Sequence, residues 1–236
     1  MAQGSKSRES LRSLATEELV ERGYEVTLFA TGDSQTQGDL VSVIDKPFRE
    51  LGYTSTAYAS MAGIYESSML SKIFAWADQF DVIHNHLGYQ ALPFARLVKT
   101  PVVTTLHGGF TPRPIREIHE DHRRLPYVSI SDYQRKPCPN LNYVGTIHHG
   151  LALERFQPCF KKEKGYLAHL GRMCEEKGTH LAVDLAKRSN QKLVLAGKVD
   201  FADQAFFDER IRPHIDGEQI QFVGELNHEQ KVTFLR

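Results

Sequence analysis

Arg172 and Lys177 bracket a glycine turn, Leu170-Gly171-Arg172-Met173-Cys174-Glu175-Glu176-Lys177-Gly178. The turn joins an apolar run, Tyr166 to Leu170, to a helical pattern, His180 to Arg188. Backbone N–H groups and the helix dipole favour an anion at such a junction. Two fixed cations at the same mouth suit a diphosphate, which takes charge-assisted hydrogen bonds well. A solvated turn accounts for the same residues, so the junction alone leaves both readings open. His107 is the second candidate: it ends the run Val102 to His107 just before Gly108-Gly109, where an imidazole can donate to an anionic or hydroxyl oxygen.

Other polar clusters carry less. His84 and His86 alternate on a strand pattern and point to one face, as metal ligands could. No Asp, Glu or Cys at standard spacing completes a set, so they read as structural. His148 and His149 face opposite ways if extended, which defeats a shared ligand role and assigns them to a hinge. Gly197-Lys198-Val199 opens a loop with Asp200 and Asp203 that any β–α connection explains. Arg113, Arg116, Arg123 and Arg124 are interleaved with Glu117, Glu120 and Asp121, as on a solvated helix with i, i+4 pairs.

The elements that must position these groups alternate between helix and strand. Leu11, Ala15 and Leu19 share one helical face that Gly23 is placed to end. Strand patterns follow at 25–30 and 40–44, then a long helical stretch at 57–77 with an expected break near Gly63. Strand–helix units come next at 81–86 with 90–98 and at 102–107 with 115–125, then strands at 127–131 and 141–147. His148 to Pro158 has no clear period and is the linker candidate. Beyond it lie strands at 165–170, 192–196 and 220–223, helices at 180–188 and 202–211, and a helix start at Asn227. Near-continuous apolar runs separated by helices predict an α/β, doubly wound chain with buried parallel strands. Ligands in such sheets bind beyond the C-terminal strand ends, where His86, His107 and Arg172 fall.

A chain of 236 residues has room for one large or two small domains. Its formal charge is zero with acids and bases interspersed, which argues against a nucleic-acid partner. Cys138, Cys159 and Cys174 are odd in number and form no C-x-x-C, so the expectation is a reducing, cytoplasmic setting. The first twelve residues lack an apolar signal core, and nowhere do ~18 consecutive apolar residues occur. No G-x-G-x-x-G follows any strand, which excludes the dinucleotide-binding dehydrogenase pattern.

Taken in order, several pieces form a recognisable set: Glu18 to Ala30, Asp81-Val82-Ile83-His84-Asn85-His86, Thr104-Thr105-Leu106-His107-Gly108-Gly109, and His149-Gly150. Gly171-Arg172 with Glu176-Lys177-Gly178, Leu195-Ala196-Gly197 and Phe222-Val223-Gly224-Glu225 complete it. No single piece is specific, but the ordered set resembles the retaining GT-B glycosyltransferases of family 4, including their GR-x-x-x-E-K-G turn. The resemblance implies a GT-B-like fold of two Rossmann-like domains facing a cleft, 1–150 on the acceptor side and 151–236 on the nucleotide-sugar side. It implies that Arg172 and Lys177 hold the donor diphosphate, that His107 lies beside the transferred sugar, and that Gly108, Gly171, Gly197 and Lys198 line the donor. The nucleotide-sugar is then a substrate; neither a metal nor another cofactor is needed, and the acceptor is a saccharide, lipid or small molecule.

The family pattern also opens with a buried strand and a double-glycine loop, whereas Met1 to Arg8 are too polar for a central strand and Gly4-Ser5 is a poor relic of that loop. Past the region of Lys231 to Leu235 the family continues into two acidic residues that hold sugar and ribose. The chain therefore reads as truncated at both ends, with an incomplete second domain whose open edge favours self-association. Two functions stay open: transfer of a sugar with retention, or a catalytically inactive nucleotide-sugar-binding fragment or regulatory pseudoenzyme.

Overall fold

The computed structural model describes residues 15–47, 51, 55–150, 156, 158, 160 and 165–236. Leu11, Gly4-Ser5, Cys159 and most of the expected linker lie outside these. The described residues fall into two compact units that part between Gly150 and Leu151.

In the first unit, helix α1 runs through residues 15–21 and ends at Gly23, whose φ of 87° suits a helix stop that other residues adopt at a cost. Strands β1 (Thr27–Phe29) and β2 (Asp39–Val41) pair in parallel with Leu28 opposite Leu40. Helix α2 (Ser55–Ala75) is continuous over 21 residues. The break expected near Gly63 does not occur. A single glycine costs a helix only about 1 kcal/mol relative to Ala, which twenty neighbours readily offset.

A four-stranded parallel sheet follows in the order β3 (Ile83–Asn85), β4 (Val102–Thr105), β5 (Tyr127–Ser129), β6 (Tyr143–Thr146). The helix expected at 90–98 is replaced by two 3-10 turns, Gly88–Ala91 and Phe94–Arg96. Pro93 stands between them, and its missing N–H interrupts the i to i−4 ladder. Helix α3 (Arg113–Asp121) carries the pairs Arg113–Glu117 at 2.6 Å and Arg116–Glu120 at 2.9 Å along its exposed side. A one-turn helix α4 (Asp132–Arg135) leads on from β5. Leu92, Leu106, Phe110, Tyr127, Cys138 and Leu141 form the core beneath the sheet.

In the second unit, β7 (Leu167–Leu170), β8 (Leu193–Ala196) and β9 (Ile220–Phe222) form a parallel sheet with β8 in the centre. All four residues of β8 are buried, as a strand covered on both faces requires. Helix α5 (Thr179–Ser189) is bounded by Gly178 and Asn190, both left-handed. It buries Val183 and Ala186 against Leu193, Leu195, Phe207, Ile211 and Ile220. Helices α6 (Gln204–Arg210) and α7 (His228–Phe234) follow β8 and β9, the latter helix held by a reciprocal Asn227–Gln230 capping box. Trimming one of the fully buried leucines to Ala would cost about 2–5 kcal/mol.

Candidate functional site

The chemistry-bearing residues sit at C-terminal strand ends, as expected for parallel sheets. In the first unit the exit of β3 is fixed by Asn85. Its buried amide donates to Gly88 O at 2.9 Å and to Thr104 Oγ1 at 3.1 Å, and accepts from Leu87 N at 2.9 Å. His84 meets Thr105 Oγ1 through Nε2 at 2.8 Å, and its ring centroid is 4.1 Å from that of His86. Burial lowers the pKa of His84, although the residue keeps an exposed edge. His86 Nδ1 lies 2.8 Å from His107 Nε2, and His107 Nδ1 lies 3.2 Å from His149 Nε2. Histidines from the ends of three strands thus form a hydrogen-bonded run, with ring centroids 5.1 and 5.3 Å apart.

The backbone on either side of His107 is held by a residue that sequence reasoning passed over. Gln134 Nε2 donates to Leu106 O at 3.2 Å and to Gly108 O at 2.9 Å, while its Oε1 accepts from Ile130 N at 2.9 Å. Ser131-Asp132-Tyr133-Gln134 has the spacing of a capping box, and that was the available signal. Ser131 does cap α4 through Gln134 N, but the amide of Gln134 has gone instead to the loop after β4.

In the second unit three loops are laced together. Gly171 N donates to Ala196 O at 3.0 Å, Met173 N to Lys198 O at 2.8 Å, and Gly197 N to Gly224 O at 2.8 Å. Gly197 has φ of 147°, and a Cβ there would fall 1.7 Å from Gly171 O, so only glycine fits. Arg172 is held by Asp203 through Nε at 2.9 Å and by Glu176 through a terminal nitrogen at 3.2 Å. Contact with the Cys174 thiol, then the charges of Asp203 and Glu176, raises the guanidinium pKa against the opposing effect of burial. Lys177 is exposed on a 3-10 turn (Glu175–Lys177), with its Cγ 3.9 Å from where a Cβ on Gly171 would stand. Lys198 is paired with Asp200 at 3.2 Å. Burial lowers the pKa of His169, whose Nε2 meets Thr179 Oγ1 at 3.2 Å below the turn.

Arg172, Lys177, Gly171, Gly197 and Lys198 therefore share one strand-end cluster, and His107 and Gly108 belong to the other. Asp203 is the second residue missed, read from sequence only as part of a generic loop. Thirty-one positions separate it from Arg172, and nothing local signals the pair. Among the described residues no three His, Cys, Asp or Glu side chains are grouped to hold a metal ion, and no helix is long and apolar enough to cross a membrane.

The sequence pattern of glycosyltransferase family 4 matches residues 14–175. The chain belongs to that family. Among solved structures, this family 4 chain is similar to Anabaena Alr3699/HepE in complex with UDP and glucose, at 16% identity and a TM-score of 0.68, over 100% of this chain and 70% of that one. It is similar to AviGT4, a glycosyltransferase involved in avilamycin A biosynthesis, at 20% identity and TM-score 0.62, over 98% of this chain and 59% of that one. A glycosyltransferase from Rickettsia africae matches at 13% identity and TM-score 0.62, over 98% and 68% of the two chains. These likenesses establish an α/β fold with parallel sheets of the GT-B kind. No curated protein matches the chain in sequence.

Proposed function

We propose that this family 4 chain binds a nucleotide-sugar and transfers its sugar with retention to a saccharide, lipid or small-molecule acceptor. The observation that carries the reading is the cationic turn after β7, pinned by the Gly197–Gly171 approach and carrying both Arg172, held by Asp203, and the exposed Lys177. In this role both cations neutralise charge that builds on the leaving diphosphate, the electrostatic work such a reaction most requires. The neighbour in complex with UDP and glucose supports a diphosphate donor of this class. In the first unit His107 offers its ring to a hydroxyl of the transferred sugar, with Gly108 opening the loop beside it. The leaving phosphate itself assists the incoming acceptor on the same face of the sugar, so no protein nucleophile and no metal enters the step.

Calorimetric titration with UDP, ADP and GDP tests the binding half of this reading. Heat with at least one of them, abolished in Arg172→Ala together with Lys177→Ala, is the expected result. Each lost charge-assisted bond should cost ~1.5–3 kcal/mol. Folded protein that gives no heat with any of the three sinks the proposal. Transfer is tested separately by incubating the chain with nucleotide-sugars and following release of the nucleoside diphosphate.

A further inference from the structure

The geometry points to His86 as the anchor that fixes the ring proton of His107 on Nε2, leaving Nδ1 to accept a hydroxyl in place of His149. The inference deepens the proposed function and rests on His107 being the residue beside the sugar.

Both ring nitrogens of His107 face another imidazole, at 2.8 Å on the Nε2 side and 3.2 Å on the Nδ1 side. A neutral imidazole has one donor and one acceptor, so the proton positions along the run are coupled. Two arrangements are allowed. If His149 Nε2–H donates to His107 Nδ1, then His107 Nε2–H donates to His86 Nδ1, and all three rings are Nε2–H tautomers. The reverse direction makes all three Nδ1–H. Free histidine in water favours Nε2–H, so the first arrangement has the intrinsic preference of every ring behind it.

The two neighbours of His107 are unlike. His86 follows directly on Asn85, whose buried amide is fully engaged, and its ring is backed by that of His84. It is half-buried and makes the shorter bond to His107, at 2.8 Å. His149 is exposed, lies beyond the end of β6 and makes the longer bond. A sugar hydroxyl therefore displaces His149 and donates to the lone pair on His107 Nδ1, while His86 keeps the ring orientation and tautomer unchanged. His86 acts only through His107 and is a positioning residue; its fixed partner spares the imidazole from reorienting when the sugar arrives.

Histidine-labelled full chain is examined by imidazole nitrogen NMR at about pH 8, where ordinary imidazoles are neutral. His107→Gln assigns the His107 signals by their disappearance. The expected result is a protonated Nε2 and a bare Nδ1 on His107, unchanged in His149→Ala. The two nitrogens should shift toward a tautomer mixture in His86→Ala and recover in His86→Asn, whose side-chain oxygen accepts in the same place. Transfer by His86→Ala should fall about tenfold in kcat, the scale of one lost hydrogen bond, with UDP affinity unchanged, and return in His86→Asn. An Nδ1–H tautomer in the wild-type chain, or His107 signals indifferent to His86→Ala, overturns the inference. Should the chain transfer no sugar at all, the proposed function fails, while the nitrogen signals still decide the anchor.

Discussion

Asp203 receives the Nε–H of Arg172 at 2.9 Å and is far less exposed than Glu176, the other carboxylate on the same guanidinium. The two partners therefore do different work. Asp203 orients the guanidinium from a half-buried position, whereas Glu176 forms a surface pair of the kind worth little. A diphosphate must compete with Glu176 for the outward nitrogens and can leave Asp203 in place. Asp203→Asn should weaken nucleotide binding by about 1–2 kcal/mol through loss of orientation. Glu176→Gln should leave it equal or tighter. Titration of both variants with UDP checks this, and the opposite order of affinities would refute the division of labour.

Two glycines should respond in opposite directions. Gly197→Ala drives a methyl into Gly171 O at a backbone angle that L residues rarely adopt, and should destabilise the second unit by about 2–4 kcal/mol. Gly63→Ala meets nothing within 4 Å on the exposed side of α2 and should stabilise by about 0.5–1 kcal/mol. Urea unfolding of each variant gives both values.

Acidification should loosen the first unit through His119. This α3 residue is buried between Phe110 and Tyr127, donates through Nδ1 to Ile115 O at 2.6 Å, and has a buried Nε2 with no hydrogen-bond partner among the described residues. Burial first, with His122 nearby, holds its pKa below the ordinary value against the raising effect of the Ile115 carbonyl. The unfolded chain then binds the extra proton. The stabilisation is fully present above about pH 6.5 and is lost as the pH falls through the lowered folded value. Melting temperatures across this range should drop for the wild type and less steeply for His119→Leu.

Gln134 should prove more important to the His107 loop than its place on a one-turn helix suggests. Gln134→Leu removes two donors from the carbonyls flanking His107 and the acceptor for Ile130 N. The cost should be about 1–3 kcal/mol, with faster hydrogen exchange at the Ile130 amide. Exchange at Ile130 that stays slow would show the clamp to be dispensable.

The sequence by itself determined the alternation of strands and helices and the strand ends on which Arg172 and His107 sit. The reason is local: Leu193 to Ala196 is apolar at every position because both faces of β8 are covered, and a run of that kind is legible without its neighbours. Local signals misled at Gly63 and Pro93. The glycine's small cost was absorbed by a long helix, and the proline's missing N–H divided an apolar helical pattern into two short turns. Only the tertiary structure decided what surrounds the candidate residues. Asp203 reaches Arg172 and Gln134 reaches the carbonyls beside His107 across about thirty positions. The imidazoles of His86 and His149 come from separate strand ends to meet the same ring. Such contacts arise from strand order and loop lacing, which carry no mark in the spacing of the residues they join.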